Sequence, residues 1–175
     1  MIIQTPISDD VIAGLTTGQQ VFLSGTVYTA RDAAHQRLVE LLRRGEALPF
    51  PFAGQVVFYA GPSPSPPGRV IGSIGPTTSG RMDAYTPELM RAGLKVMIGK
   101  GLRSDEVVAV IRECGGVYFA AIGGAAAIIS RCVTAAEVVA FDDLGTEAIR
   151  KLTVERLPLI VATDSRGNCI YTPTN

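Results

Sequence analysis

Hydrophobic positions along this chain follow two patterns, one in each half. In the first half, short apolar runs are separated by long connections rich in Gly and Pro. Val21-Phe-Leu-Ser-Gly-Thr-Val-Tyr28, Gln55-Val-Val-Phe-Tyr59 and Arg69-Val-Ile-Gly-Ser-Ile74 read as strands. Gly61-Pro-Ser-Pro-Ser-Pro-Pro-Gly68 lies between the last two. Proline fixes φ and removes a donor, so this stretch predicts an extended, unpaired spacer. The second half alternates strand and helix. Val96–Ile98 predicts a strand, Ser104–Cys114 a helix, Val117–Ile122 a strand, Gly123–Ile129 a short helix and Val133–Ala140 a strand. Leu159–Thr163 and Asn168–Tyr171 read as strands flanking an Asp164-Ser-Arg-Gly hairpin turn.

The helix at 104–114 shows the logic. Ser104 is a good N-cap, and Asp105 and Glu106 suit the positive end of the helix dipole. Val107, Val108, Ile111 and Cys114 fall on one face, and Gly115-Gly116 ends the helix. Further upstream, Thr29-Ala-Arg-Asp32 resembles a capping box opening a helix that carries Ala34, Leu38, Leu41 and Leu42. There is no internal repeat and no linker. The pattern predicts one α/β domain over residues 1–175, with a mixed sheet and Gly-rich loops at strand ends.

Composition narrows the class. Apolar residues make up 47% of the 175 and charged residues 18%, enough to build a core and too few charges for a disordered chain. Formal net charge is zero and no Lys/Arg run occurs, which argues against nucleic-acid and membrane-surface partners. No stretch reaches the ~20 apolar residues of a membrane span, and the start lacks a signal-peptide pattern. Cys114, Cys132 and Cys169 lie far apart without metal-ligand spacing, which suits a reducing, cytoplasmic setting and assigns this chain no metal site.

Candidate chemistry gathers on glycine-rich turns: Gly75 to Gly80, Gly99-Lys-Gly101 and Gly123-Gly124. Glycines at strand ends let backbone approach a ligand closely. No Gly-Lys-Ser/Thr occurs, and Gly99-Lys-Gly-Leu-Arg-Ser104 lacks a third fingerprint glycine, so nucleotide binding is disfavoured. The segment Gly75-Pro-Thr-Thr-Ser-Gly-Arg-Met-Asp83 is the most informative. It leads into a helix expected to start with Thr86 as N-cap and Pro87 at its first position. Its hydroxyls and the Arg81 fork suit a carboxylate; a turn built for conformation alone is the alternative. Arg31, expected in the first turn of its helix, and Lys100, between two glycines, add two cations. A helix start with an added arginine is an anion site. Each also reads as a surface or turn charge. His35 shares the face of Arg31, and a lone histidine is more often structural than catalytic. Arg31, Arg81 and Lys100 together match what a small dicarboxylate needs, because an unpaired buried carboxylate is costly.

These residues also carry a resemblance. The chain resembles the smaller, beta subunit of two-subunit class I fumarases and L-tartrate dehydratases, and the C-terminal domain of their single-chain relatives. The matching blocks are Gly25-Thr-Val-Tyr-Thr-Ala-Arg-Asp-Ala-Ala-His35; Gly61-Pro-Ser-Pro through the Gly75–Asp83 segment; Met97-Ile-Gly-Lys-Gly101; and Asp143-Leu-Gly-Thr-Glu-Ala-Ile149. Thr146 departs from the Met or Pro more usual there. The resemblance implies a swivelling β/β/α-type domain and a reversible hydration of fumarate or, next, tartrate. It implies a four-iron four-sulfur cluster carried by a partner alpha subunit with three cluster cysteines, not by this chain. It assigns substrate carboxylates to Arg31, Arg81 and Lys100, makes Thr77 a candidate general base, and places Thr77, Arg81 and Lys100 in the catalytic set. The expected state is a hetero-oligomer, with a homodimer as the alternative for the isolated chain. A non-catalytic binding or assembly module, or a standalone metal-independent lyase or isomerase, are the competing classes.

Overall fold

The computed structural model describes residues 1–121 and 126–171. The expected Gly123-Gly124 turn, the end of the strand at Ile122 and the start of the helix after it lie outside the described residues. In chain order the elements are β1 (Ile2–Gln4), α1 (Asp9–Gly14), β2 (Gln20–Thr29), α2 (Asp32–Arg44) and β3 (Val56–Phe58). A 3-10 turn (Ser79–Met82), α3 (Thr86–Arg91), β4 (Val96–Gly99), α4 (Asp105–Cys114) and β5 (Val117–Ala121) follow. The chain then runs through α5 (Ala126–Cys132), β6 (Val133–Ala140), a second 3-10 segment (Asp142–Glu147) and β7 (Ile149–Thr163). No element was expected before residue 20; there Ser8 caps α1 by accepting from the Val11 amide.

The strands form one mixed sheet, and five of them close into a ring. β1, β2, β3, β4 and β5 pair in parallel in that order. The long β7 runs antiparallel to both β5 and β2, which shuts the ring, and β6 hangs on β7 at the edge. Side chains alternate across the ring, as the period of two in a strand demands. Val56 and Phe58 of β3, Val96 and Ile98 of β4, and Val117 and Phe119 of β5 point to the inner core. Val57, Met97 and Tyr118 point outward, where Leu38, Leu89, Val107 and Ile111 of α2, α3 and α4 cover them. The result is a single α/β domain with a mixed sheet. Because β2 to β5 run alike, their C-terminal ends share one rim.

Several local expectations are corrected. Arg69–Ile74 forms no strand. Its neighbours Pro62, Pro64, Pro66 and Pro67 offer no N–H, so the segment folds back on the proline stretch instead. The Ser63 amide donates to the Ser73 carbonyl (2.9 Å), and the Ser73 amide to Ser63 Oγ (2.8 Å). The Gly75 segment therefore does not follow a strand. No capping box opens α2. Thr29 ends β2 and its hydroxyl accepts from the Arg150 amide (3.1 Å). Arg31 is the N-cap residue, rather than a member of the first turn, and caps nothing with its side chain. The Ala33 amide donates instead to Glu147 (3.3 Å), so a carboxylate of the chain itself occupies that helix start. Tyr85 is the N-cap residue of α3; Thr86 lies inside, with Pro87 after it. In α4, Val110 rather than Val108 joins the buried face with Val107 and Ile111. The Asp164–Gly167 turn forms, but beyond it a single bridge from Thr163 to Cys169 replaces the second strand.

Candidate active site

The rim begins where β2 ends. The Ala30 amide donates to the Phe58 carbonyl (3.0 Å) and the Tyr59 amide to the Ile98 carbonyl (2.8 Å), extending the ladder past the strand ends. The Gly75 segment is laid across this extension. Thr77 donates its amide to the Tyr59 carbonyl (2.6 Å), Thr78 bridges Lys100 in parallel, and Ser79 donates its amide to the Lys100 carbonyl (2.9 Å). Gly99 makes the crossing possible. A Cβ there would lie 2.0 Å from Ser79 Oγ and 2.9 Å from the Tyr59 ring.

Arg31, Thr77, Arg81 and Lys100 are thus brought to one rim from the ends of β2 and β4 and from the crossing loop. Arg31 packs on Gly61, where a Cβ would sit 3.1 Å from its Cδ and 3.3 Å from Nη1. Arg31 Nε is buried without a hydrogen-bond partner among the described residues. Arg81, half exposed, pairs with Asp32, the residue after Arg31. Exposed ion pairs contribute on the order of 1 kcal/mol or less, so an incoming carboxylate can displace Asp32. Lys100 is exposed and has no carboxylate within ion-pair distance among the described residues.

Beneath the rim lies a polar layer that the motifs did not reveal. Asp83, grouped with the loop by sequence, faces inward and accepts from Arg103 Nε (2.7 Å) and the Ser104 amide (2.6 Å). Burial works against the charged form of Arg103, but the Tyr59 and Asp83 oxygens outweigh it and raise its pKa. Burial likewise pushes the Tyr118 phenol up, so it stays a neutral donor and acceptor. The nearest sequence signal for Arg103 was its place just before the α4 cap, which does not single it out.

His35 is fully buried. Its Nδ1 lies 2.8 Å from the Arg31 carbonyl and its ring meets Tyr59 edge-on at 5.1 Å. Desolvation lowers its pKa to about 4, so the imidazole is neutral at pH 7. A neutral ring donating from Nδ1 satisfies the Arg31 carbonyl and leaves Nε2 without a partner among the described residues.

The three cysteines are free and sit on separate elements: Cys114 ends α4, Cys132 ends α5 and Cys169 lies past β7. Among the described residues no three His, Cys, Asp or Glu side chains gather as a metal site. Among them, too, no helix is long and apolar enough to cross a membrane. A cavity of about 390 Å³ opens between the proline stretch, β6 and the second 3-10 segment, lined by Pro62, Val70, Val138, Thr146 and Arg150 among others. It lies beside the rim rather than on it and takes in none of the four candidate residues.

Residues 1–174 match the family described as Fumarase C-terminus. The chain belongs to the Fumarase C-terminus family. Among similar proteins, "Fumarate hydratase class I, aerobic" of Salmonella typhimurium is 41% identical over 151 residues, covering 85% of this chain and 26% of that protein. "Fumarate hydratase 2" of Leishmania major is 39% identical, covering 90% and 28%. "Putative L(+)-tartrate dehydratase subunit beta" of Methanocaldococcus jannaschii is 40% identical over 167 residues, covering 92% of this chain and 86% of that protein. The chain therefore spans about a quarter of the fumarate hydratases and most of the beta subunit. In this Fumarase C-terminus chain, three of the four sequence blocks named in the sequence analysis supply the rim. The fourth supplies Glu147, which caps α2 behind it.

Proposed function

We propose that this chain is the beta-type subunit of a hydro-lyase that reversibly hydrates a small dicarboxylate, with fumarate and malate first and tartrate next. One observation carries the reading: Arg31, Arg81, Lys100 and Thr77 stand on one rim, with no carboxylate of the described residues in ion-pair distance of Arg31 or Lys100. The names of the similar proteins, hydratases and a dehydratase, point the same way.

A dicarboxylate carries two negative ends, and the rim supplies the cations to receive them. Arg81 exchanges Asp32 for a substrate carboxylate, and its fork can hold both oxygens. Lys100 adds a point charge from the neighbouring strand end, and Arg31 a second fork from the start of α2. Thr77 is the candidate base at the carbon that exchanges its proton. A threonine hydroxyl is a weak base at neutral pH, so it needs an acid or base from a second chain to work.

The iron–sulfur cluster that the resemblance implies does not fit this chain, because its three thiols sit on separate elements. We assign the cluster to an alpha subunit bearing three cluster cysteines, where an open iron would act as Lewis acid on the substrate hydroxyl. In that complex the present domain is the swivelling body and the pair is a hetero-oligomer. A reducing cytoplasm suits both the cluster and the free thiols.

The test is to purify the chain with its cluster-bearing partner and assay fumarate, malate, tartrate and mesaconate. Arg81→Ala and Lys100→Ala are each expected to lower kcat/KM by about 100-fold, equivalent to about 2.7 kcal/mol of transition-state stabilisation. Unchanged turnover in both variants would remove the assigned site and favour a binding or assembly module.

A further inference from the structure

Arg81 and Lys100 stand on different loops, and both loops are tied to one buried layer. Arg103 lies at its centre with a side chain that has no exposure. Its Nε donates to Asp83 Oδ1 (2.7 Å), its Nη2 to Thr86 Oγ1 (2.8 Å) and its Nη1 to the Tyr59 hydroxyl (3.2 Å). The Tyr59 and Tyr118 rings lie 5.2 Å and 5.0 Å from the guanidinium carbon. The Tyr118 hydroxyl meets Ser79 Oγ at 2.7 Å and donates to the Gly101 carbonyl at 2.9 Å. The turn carrying Arg81 is thus anchored in front at Ser79 and behind at Asp83. The loop carrying Lys100 is anchored at Gly101 through Tyr118 and at Ser104 through Asp83.

We propose that Arg103 is a positioning residue that sets the spacing of Arg81 and Lys100 for the two ends of a dicarboxylate. The ligand class rests on the function proposed above; the positioning claim rests on the buried layer alone. Arg103 has no exposed side chain, so it acts through the loops and touches no substrate. Its planar fork spans Asp83, Thr86 and Tyr59 at once. A lysine keeps the charge but is a point donor that cannot reproduce that span.

The experiment uses Arg103→Lys and Tyr118→Phe in the full chain, alone and in complex with the cluster-bearing partner. In the chain alone, backbone amide resonances are compared with wild type; those of Ser79–Asp83 and of Lys100 and Gly101 are expected to shift together in both variants. In the complex, KM for the dicarboxylate is expected to rise about 10-fold or more at matched active-site concentration, with kcat changing less. A merely structural role would lower the folded fraction but leave KM and the turnover per active site unchanged, and that result overturns the proposal. Should Arg103→Lys fail to fold, Tyr59→Phe, which deletes the hydroxyl that accepts from Arg103 Nη1, decides by the same KM criterion. If the wild-type complex turns over no dicarboxylate, the functional reading fails while the amide shifts still judge Arg103. Shifts confined to the substituted residue and its chain neighbours would then overturn the positioning role.

Discussion

His35 shows how one buried side chain couples stability to pH. Its pKa falls from 6.5 to about 4 on folding because burial removes water from the imidazolium. Above pH 6.5 the ring is neutral in both states and contributes no pH dependence. Between about 6.5 and 4 the unfolded chain binds the proton and the folded chain does not, so stability falls as pH falls. The full drop amounts to about 3 kcal/mol. Asp143 and Asp164, whose carboxyl groups are held below the usual range, act below that window. Urea titrations at pH 7 and pH 4.5 should therefore differ clearly for wild type and much less for His35→Gln. Equal pH dependence in the two proteins would remove His35 as the source. Gly99 gives a second residue-scale outcome. Gly99→Ala pushes a methyl group into Ser79 Oγ and the Tyr59 ring, both buried. Overpacking of this kind costs about 1–3 kcal/mol, so the denaturant midpoint should fall. Ser79 precedes Arg81 in the same turn, so carboxylate binding should weaken as well.

Helix starts explain which elements could be read from sequence. α4 is legible because its determinants are local: Ser104 accepts from the Val107 amide (3.2 Å), two acids follow, and Gly115 closes it with φ of +65°. Ser104→Ala should cost about 1 kcal/mol, measured as a shift in denaturant midpoint with unchanged slope. The start of α2 is opaque by contrast, because its cap is Glu147, 114 residues away. A Thr-Ala-Arg-Asp string looked like a local cap only while Thr29 was free to turn back. β2 pairs with both β3 and β7, which keeps Thr29 extended. The same limit explains Arg69–Ile74, whose β-branched Val70, Ile71 and Ile74 suit a strand but whose neighbours are prolines that cannot complete a ladder. In the rim, the Gly75 segment and Lys100 were legible as glycine-bounded polar loops. Arg103 was not, since nothing near it in sequence distinguishes a buried hub from a solvated arginine.

At the scale of the molecule, one sheet serves two cores. Each strand of the ring sends alternate side chains to the inner cluster and to the layer under α2, α3 and α4. Phe119 and Tyr118 are neighbours on β5, yet one fills the ring and the other supports the rim. Neither core can be lost while the other keeps its strands, so the two should melt together. The long β7 reinforces this, since it pairs with β2, β5 and β6 and closes the ring. The test compares Phe119→Ala, inside the ring, with Ile111→Ala, under the helices. Each truncation should cost about 2–5 kcal/mol, because both side chains are fully buried. The chain has no tryptophan, so tyrosine fluorescence reports on the outer layer, where Tyr59 and Tyr118 are buried, while far-UV circular dichroism follows the whole fold. Both variants should unfold in urea by one transition that is the same in both signals, with a lower midpoint and an unchanged slope. If Ile111→Ala instead released the tyrosine signal ahead of the circular dichroism, the helical layer would be a separate unit, and the rim above it would rest on a support that can open on its own.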